Sequence, residues 1–285
     1  METFGYAELL HRLEGFDAWL SSLGLTARSN DRIHEAFKIL RKAEYASRKG
    51  KETGIYSDIQ PGDWFLITEA LEAHDVFVTF QNDHSLAFAT ELKRALSGPI
   101  QARDESPKNR EGRNIWFELA LAAEWKLRGA SVSIEEPDLC LTRDAIKFLV
   151  ACKRPANQQS TGANIQDAIK QLQRNLDKKP VGTFGVAAIS QSCVFNPGDK
   201  VFSGDMDALG KLLNEEFGRH ERYLLAVNDP RICCVMFHVA TPGVGVEGVD
   251  LVRASRTLAW DLDRPSVGSK IFREHAQDMS GTRRH

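Results

Sequence analysis

Apolar positions along the chain fall into two regimes. Through the first hundred residues they recur at helical spacing, and after residue 130 they gather into short alternating or continuous runs of the kind that form strands. Residues 4–24 place Leu9, Leu10, Leu13, Phe16, Trp19, Leu20 and Leu23 on one helical face. Asn30 then reads as the N-cap of a second helix with Ile33, Phe37, Ile39 and Leu40 as its buried stripe. That helix ends in a basic stretch, Arg41, Lys42, Arg48, Lys49 and Lys51, read either as a solvated end complementing the helix dipole or as a phosphate contact. Pro61-Gly62 reads as a break, 64–71 as a helix, and 74–80 as its continuation or a short strand. A helix over 85–96 stops at Gly98-Pro99, and the charged, Pro- and Gly-containing stretch 97–113 reads as an exposed linker or mobile loop.

From Arg113 to Arg128 the pattern is apolar on nearly every side, which predicts a buried helix with Glu118 in its middle needing a cation, a metal or hydrogen bonds. Residues 131–141 and the apolar run that follows the polar corner at Thr142-Arg143-Asp144 and ends in Lys153 read as two strand arms, with room for a short preceding edge strand. A polar loop over 157–162 leads to a helix capped by Asn164, with Ile165, Ile169, Leu172 and Leu176 as its stripe. A strand over 181–189, a helix over 205–225 and an apolar strand over 231–239 complete the pattern. The expected organisation is a helical region over 1–100, an α/β core over 113–245 with a mixed central sheet flanked by helices, and an extension over 246–285.

Composition narrows the class. With 42% hydrophobic and 27% charged residues the chain can bury a sizeable core, and its net charge of −2 excludes a uniformly basic coat, so nucleic-acid binding would need local patches. Five cysteines without zinc spacing point to reduced thiols and a cytoplasmic setting, with Cys233-Cys234 in a core strand. No long apolar stretch predicts a membrane span.

The chemistry concentrates where the two arms meet. Lys153 ends the run Phe148-Leu149-Val150, where an unpaired ammonium would be costly, so a negative group is expected beside it. In a hairpin closed at 142–144, Asp138, immediately after Pro137, comes back toward Lys153, and Ala151 shares a strand face with Lys153.

Pro137, Asp138 and Lys153 in this arrangement resemble the PD-(D/E)XK nuclease superfamily, whose pattern is Pro-Asp, a hairpin, then an acid, any residue and lysine. The tripeptide here is Ala151-Cys152-Lys153, so the second acid is absent. The resemblance implies a restriction-endonuclease-like core, metal-dependent phosphodiester hydrolysis with DNA preferred to RNA, and roles in restriction, repair or phage defence. It implies Asp138 and Glu118 as ligands of Mg2+, with Mn2+ as a substitute, and Lys153 as the group that orients or deprotonates water. Lys170, Gln171, Arg154 and Arg174 become candidate nucleic-acid contacts, and the helical region a place for recognition, regulation or dimer contacts. For Ala151 three explanations stand. Glu118 or Glu136 supplies the missing oxygen, the chain is an inactive relative, or a carboxylate was replaced by alanine. The competing classes are a non-catalytic nucleic-acid or protein interaction module with the same fold, and a Cys/His hydrolase using Cys140 or Cys152.

Overall fold

In a computed structural model of the protein the described residues are 6–26, 31–48, 60–143, 145–198, 200–202, 206–244, 251–262, 268–270 and 272. They fall into two compact units. The first draws on Met1–Ala123, Asn196–Ser203 and Thr241–Arg253, and the second on Glu124–Phe195, Gly204–Ala240 and Ala254–His285.

The first unit is helical. Its opening pattern forms two helices, α1 (Tyr6–Arg12) and α2 (Phe16–Ser22), rather than one, because Gly15 between them takes φ 91°, a left-handed conformation that glycine reaches without a Cβ penalty. In α3 (Arg32–Arg48) the Asp31 carboxylate accepts the His34 N–H at 2.9 Å, while Asn30, the expected cap, lies outside the described residues. Its basic end has Arg48 ion-paired with Glu44, and Lys49 and Lys51 are outside the described residues. Pro61 opens α4 (Pro61–Phe80) instead of breaking a helix. A proline costs nothing in the first turn, and Gln60 and Asp63 form a capping box around it. The helix then runs unbroken through 74–80. Next comes α5 (Leu86–Ala95), capped by Ser85, whose hydroxyl accepts the Phe88 N–H. The core here is aromatic: Phe16 lies edge-on to Trp19, Phe37 and Phe77 with centroids 5.4, 5.6 and 5.9 Å apart, and Phe80 stacks on Phe88 at 4.9 Å.

The stretch 97–113 is largely exposed, as expected, but its backbone is tied down rather than left as a mobile loop. Arg32 donates to Ser97 O at 2.7 Å and to Ala95 O, and Arg113 donates to Pro99 O at 3.1 Å and Ile100 O at 2.7 Å. The segment also holds a short 3-10 turn over Ala102–Asp104. It leads into α6 (Glu111–Leu127), buried on most sides as its composition predicts, and the division between the units falls inside this helix at Ala123/Glu124 rather than in the preceding loop. A Cβ on Gly112 would lie 2.0 Å from the backbone carbonyl oxygen of Ser97. Because backbone cannot swing aside as a side chain can, Gly112→Ala is expected to cost about 1–3 kcal/mol by overpacking. A loss of that size in denaturant unfolding checks it, and an unchanged midpoint would count against this close approach.

The second unit carries most of a mixed six-stranded sheet in the order β1 to β6. Strands β1 (Ser131–Glu135), β2 (Asp138–Arg143) and β3 (Ile146–Lys153) form an antiparallel meander, so the stretch read as a single first arm is two strands divided at Glu136-Pro137. Helix α7 (Gln158–Leu176) crosses over to β4 (Thr183–Ser190), which pairs parallel to β3 with Ala151 opposite Ala187 and Lys153 opposite Ile189. After α8 (Ser192–Phe195) and α9 (Met206–Leu225), β5 (Ile232–Val244) pairs parallel to β4. The edge is β6 (Leu251–Asp261), so part of the stretch expected as an extension belongs to the sheet. Helix α7 starts earlier than expected, with Asn157 as its cap and Ser160 completing the capping box, because the supposed polar loop 157–162 supplies its first turns. Its stripe of Ile165, Ile169, Leu172 and Leu176 is buried, and so are all five cysteines. Among the described residues no helix is long and apolar enough to cross a membrane.

Candidate functional site

Asp138 begins β2 and Lys153 ends β3, and the antiparallel pairing of Leu139 with Val150 brings both to the same end of the meander. Lys153 Nζ lies 3.7 Å from Asp138 Oδ2. The carboxylate also accepts the backbone N–H of Cys152 at 2.6 Å, a contact that follows directly from that register. The third member comes from α7: Gln171 Oε1 accepts from Lys153 Nζ at 2.5 Å, while its Nε2 donates to Pro137 O at 3.3 Å and Asp138 Oδ1 at 3.4 Å. Lys153 Nζ additionally donates to Cys152 O at 3.0 Å. An acid from β2, a base from β3 and an amide from α7 thus form one hydrogen-bonded constellation. The negative group that the apolar approach to Lys153 demanded is Asp138.

Burial raises the Asp138 carboxyl above its ordinary value, opposed by the Lys153 ammonium and by the hydrogen bonds from Cys152 and Gln171, and reinforced by the charge of exposed Glu136. The sign follows from proton counting. Between the ordinary and the raised pKa the folded chain holds a proton that the unfolded chain has lost, so this group lowers stability as pH rises through that window. The penalty is absent below the unfolded value and complete above the folded one. Asp138→Asn, whose amide oxygen can still accept the Cys152 N–H, is therefore expected to leave stability at neutral pH unchanged or raised and to flatten its pH dependence in the acid range. Thermal unfolding across that range checks it, and a marked loss at neutral pH would show that the carboxylate is a net structural tie.

The other candidates are placed as follows. Ala151 has no exposed surface and sits between Asp138's strand and Ala187, with a methyl where the resemblance puts a carboxylate. Lys170 and Arg174 are exposed on α7 and, with Lys153, Gln171, Gln173, Asp167 and Asp177, line an open groove of about 560 Å3. Arg154 does not line it. Strand alternation sends it to the face opposite Lys153, where it is buried and donates to Cys193 Sγ at 2.6 Å, so it is not placed to meet a phosphate backbone. Glu118 stands half-buried on the part of α6 that belongs to the helical unit, whereas Asp138 and Lys153 belong to the sheet unit.

As a metal site the constellation is incomplete. Among the described residues no three His, Cys, Asp or Glu side chains gather to hold an ion, and the carboxylate within the hydrogen-bonded set is that of Asp138. A hard divalent cation takes several oxygen ligands, and Ala151, on the strand face that Lys153 shares, supplies none. The thiol alternative finds no support in the geometry. Cys140 and Cys152 are buried, and burial together with the Glu135 charge raises the Cys140 thiol, which disfavours a thiolate.

Residues that the sequence did not single out are the Cys152 amide, a backbone group invisible to any motif, and Asp167, Gln173 and Asp177 on the groove. The helical period of α7 offered a signal for these three, since they lie within a turn or two of Lys170 and Gln171. Comparisons with protein-family models, with curated proteins and with solved structures returned no match.

Proposed function

We propose that the sheet unit, with α6, is a restriction-endonuclease-like core and that the protein is a metal-dependent nuclease acting on phosphodiester bonds, DNA in preference to RNA, impaired in this sequence by Ala151. The observation that carries the reading is the convergence of Asp138, Lys153 and Gln171 from β2, β3 and α7 on one set of hydrogen bonds. The element order supports it: helix, three-stranded antiparallel meander, helix, then a strand parallel to the third. In this reading Lys153, positioned between Asp138 and Gln171, neutralises a phosphate oxygen or orients the attacking water. Gln171 fixes the ammonium's direction, and Asp138 is assigned to Mg2+. No step is assigned to the ion, because the carboxylate set in this chain does not complete its coordination.

The alanine also favours a second reading, a nucleic-acid or protein interaction module that keeps the nuclease architecture without the reaction. One experiment separates the two. Ala151→Glu is expected to produce Mg2+-dependent nicking or linearisation of plasmid DNA that the unsubstituted chain lacks, and Lys153→Ala in that background to abolish it. A glutamate variant that folds but stays inert on DNA and RNA with Mg2+ and Mn2+ gives the site to the interaction module.

A further inference from the structure

Helix α2 is too short to stand alone. Its seven residues fall well below the length at which an isolated helix holds in water, and Gly15 at its N-cap makes no side-chain cap. Tertiary contacts must therefore hold it. Phe16, Trp19 and Leu20 supply a buried apolar face, and Ser21 and Ser22 bond inside the helix, to Asp17 O at 2.9 Å and Trp19 O at 2.8 Å. Among the described residues, the contact of Asp17 with His34 is the only side-chain hydrogen bond or ion pair that joins α2 to another helix.

His34 stands at the third position of α3, where it meets the capping residue Asp31. Asp31 Oδ1 accepts the backbone N–H of His34 at 2.9 Å and lies 2.8 Å from its ring Nδ1, while Nε2 lies 2.8 Å from Asp17 Oδ1. A neutral imidazole donates through one nitrogen and accepts through the other, and an ionised carboxylate only accepts. Carboxylates on both nitrogens are therefore satisfied together by the imidazolium alone. The neutral ring would turn a lone pair toward a carboxylate oxygen. The hydrogen bond to Asp31 is the largest influence on the ring; burial opposes it, the charge of Asp31 and then the bond and charge of Asp17 add to it, and the pKa ends above the ordinary histidine value. Charges on the neighbouring elements are engaged with other groups. On α1, Arg12 pairs with Glu8; on α3, Lys38 with Glu35; on α4, Glu69 faces Arg32 and Arg113, Glu72 takes the Trp116 N–H, and Asp75 meets His74 and Arg253. His11 meets Glu14 between α1 and α2.

We propose that His34 is a pH-operated latch for α2: its imidazolium bridges Asp17 to Asp31 and ties α2 to the start of α3, and loss of the ring proton opens that tie. The sign follows from linkage. The latched ring holds its proton more tightly than the open one, so the tie is fully present below the ordinary value of about 6.5 and is lost as pH rises through the raised one. The two arms differ in exposure, with Asp17 62% exposed and Asp31 10%, so salt weakens the arm to α2 more than the arm within α3. Opening loosens the helix whose Phe16 and Trp19 pack on Phe77.

Two measurements on the full chain test the latch. The His34 ring is titrated by NMR, its signal assigned by its loss in His34→Gln, and amide exchange in α2 is followed from about pH 5 to about pH 9 after correction for the intrinsic pH dependence of exchange. His34 should titrate above the ordinary value, and protection of α2 should fall through the same range while α5 keeps its own. Asp17→Asn, a change at an exposed side chain, should leave circular dichroism unchanged, lower the His34 pKa, and take about a factor of ten off the pH-dependent loss of protection for each unit by which that pKa falls. The latch is overturned if His34 titrates at or below the ordinary value, if protection of α2 ignores pH, or if both responses persist in Asp17→Asn. Equal losses in α2 and α5 would make the response that of the whole unit and overturn it as well.

Discussion

Glu69→Ala should unfold the helical unit at markedly lower denaturant, at a cost of about 3–5 kcal/mol, the range for removing one partner of a buried ion pair. Glu69 is almost fully buried on α4. One of its oxygens lies 2.6 Å from Arg113 Nε, the other 3.4 Å from Arg113 Nη2, and Arg32 Nε is 3.4 Å away. Both arginines are buried as well, Arg32 with its guanidinium 5.3 Å over the Trp116 ring. Burial opposes the charge on Arg113, but Glu69 and Glu105 outweigh it, and the guanidinium is held above its ordinary pKa. Removing Glu69 leaves two buried cations with less compensating charge, Glu105 at 3.4 Å still facing Arg113, beside the backbone carbonyls of residues 95–100, and those carbonyls are what hold 97–113 in place. The effect should therefore appear first as loss of amide-exchange protection in that segment. Glu69→Gln, which keeps one oxygen acceptor, should lose less. An alanine variant with wild-type stability would mean that the arginines are satisfied by the carbonyls and Glu105.

That network explains why the sequence misleads at 97–113. A stretch rich in Pro, Gly and charge looks mobile when read locally, and its anchors are Arg32, Glu69 and Arg113, far from it or from each other in the chain. The same logic covers Pro61, which reads as a stop from its own chemistry and becomes a start because Gln60 and Asp63 cap the turn around it. It also covers 157–162, where polar residues serve as a first helical turn once Asn157 caps it. By contrast, the hairpin closed at 142–144 and the Asp138–Lys153 pair were legible because they follow from strand period and the cost of an unpaired ammonium. The alternation that places Lys153 on the α7 face also turns Arg154 away from it. That inference was available in the sequence and decides against Arg154 as a phosphate contact.

Ala151→Glu should change more than turnover. Position 151 is without exposed surface, flanked by Ala187 on β4 and directed to the same face as Lys153, so a glutamate there adds volume to a closed strand face and a second carboxylate beside one already raised by burial. Without metal the overpacking alone is expected to cost about 1–3 kcal/mol, and each kcal/mol lowers Tm by about 2–4 °C in a chain of this size class. Two carboxylates in one site titrate as a pair, with one held protonated further into the neutral range, so the metal-free variant should lose stability as pH rises through that range. Mg2+ reverses both effects if the pair forms its site: at about a hundredfold over Kd it returns about 2.7 kcal/mol. The unsubstituted chain, with Asp138 as the carboxylate of the hydrogen-bonded set, should show a far smaller Mg2+ response. Asp138→Asn in the glutamate background should abolish the response, whereas Lys153→Met should retain it while stopping cleavage, because the lysine acts on phosphate or water and holds no ion. Differential scanning with and without Mg2+ reads all of these on folded protein, so the outcome does not depend on finding the right substrate. Equal Mg2+ shifts in the alanine and glutamate forms would remove position 151 from any metal site and leave the hydrogen-bonded Asp138, Lys153 and Gln171 as a binding constellation only.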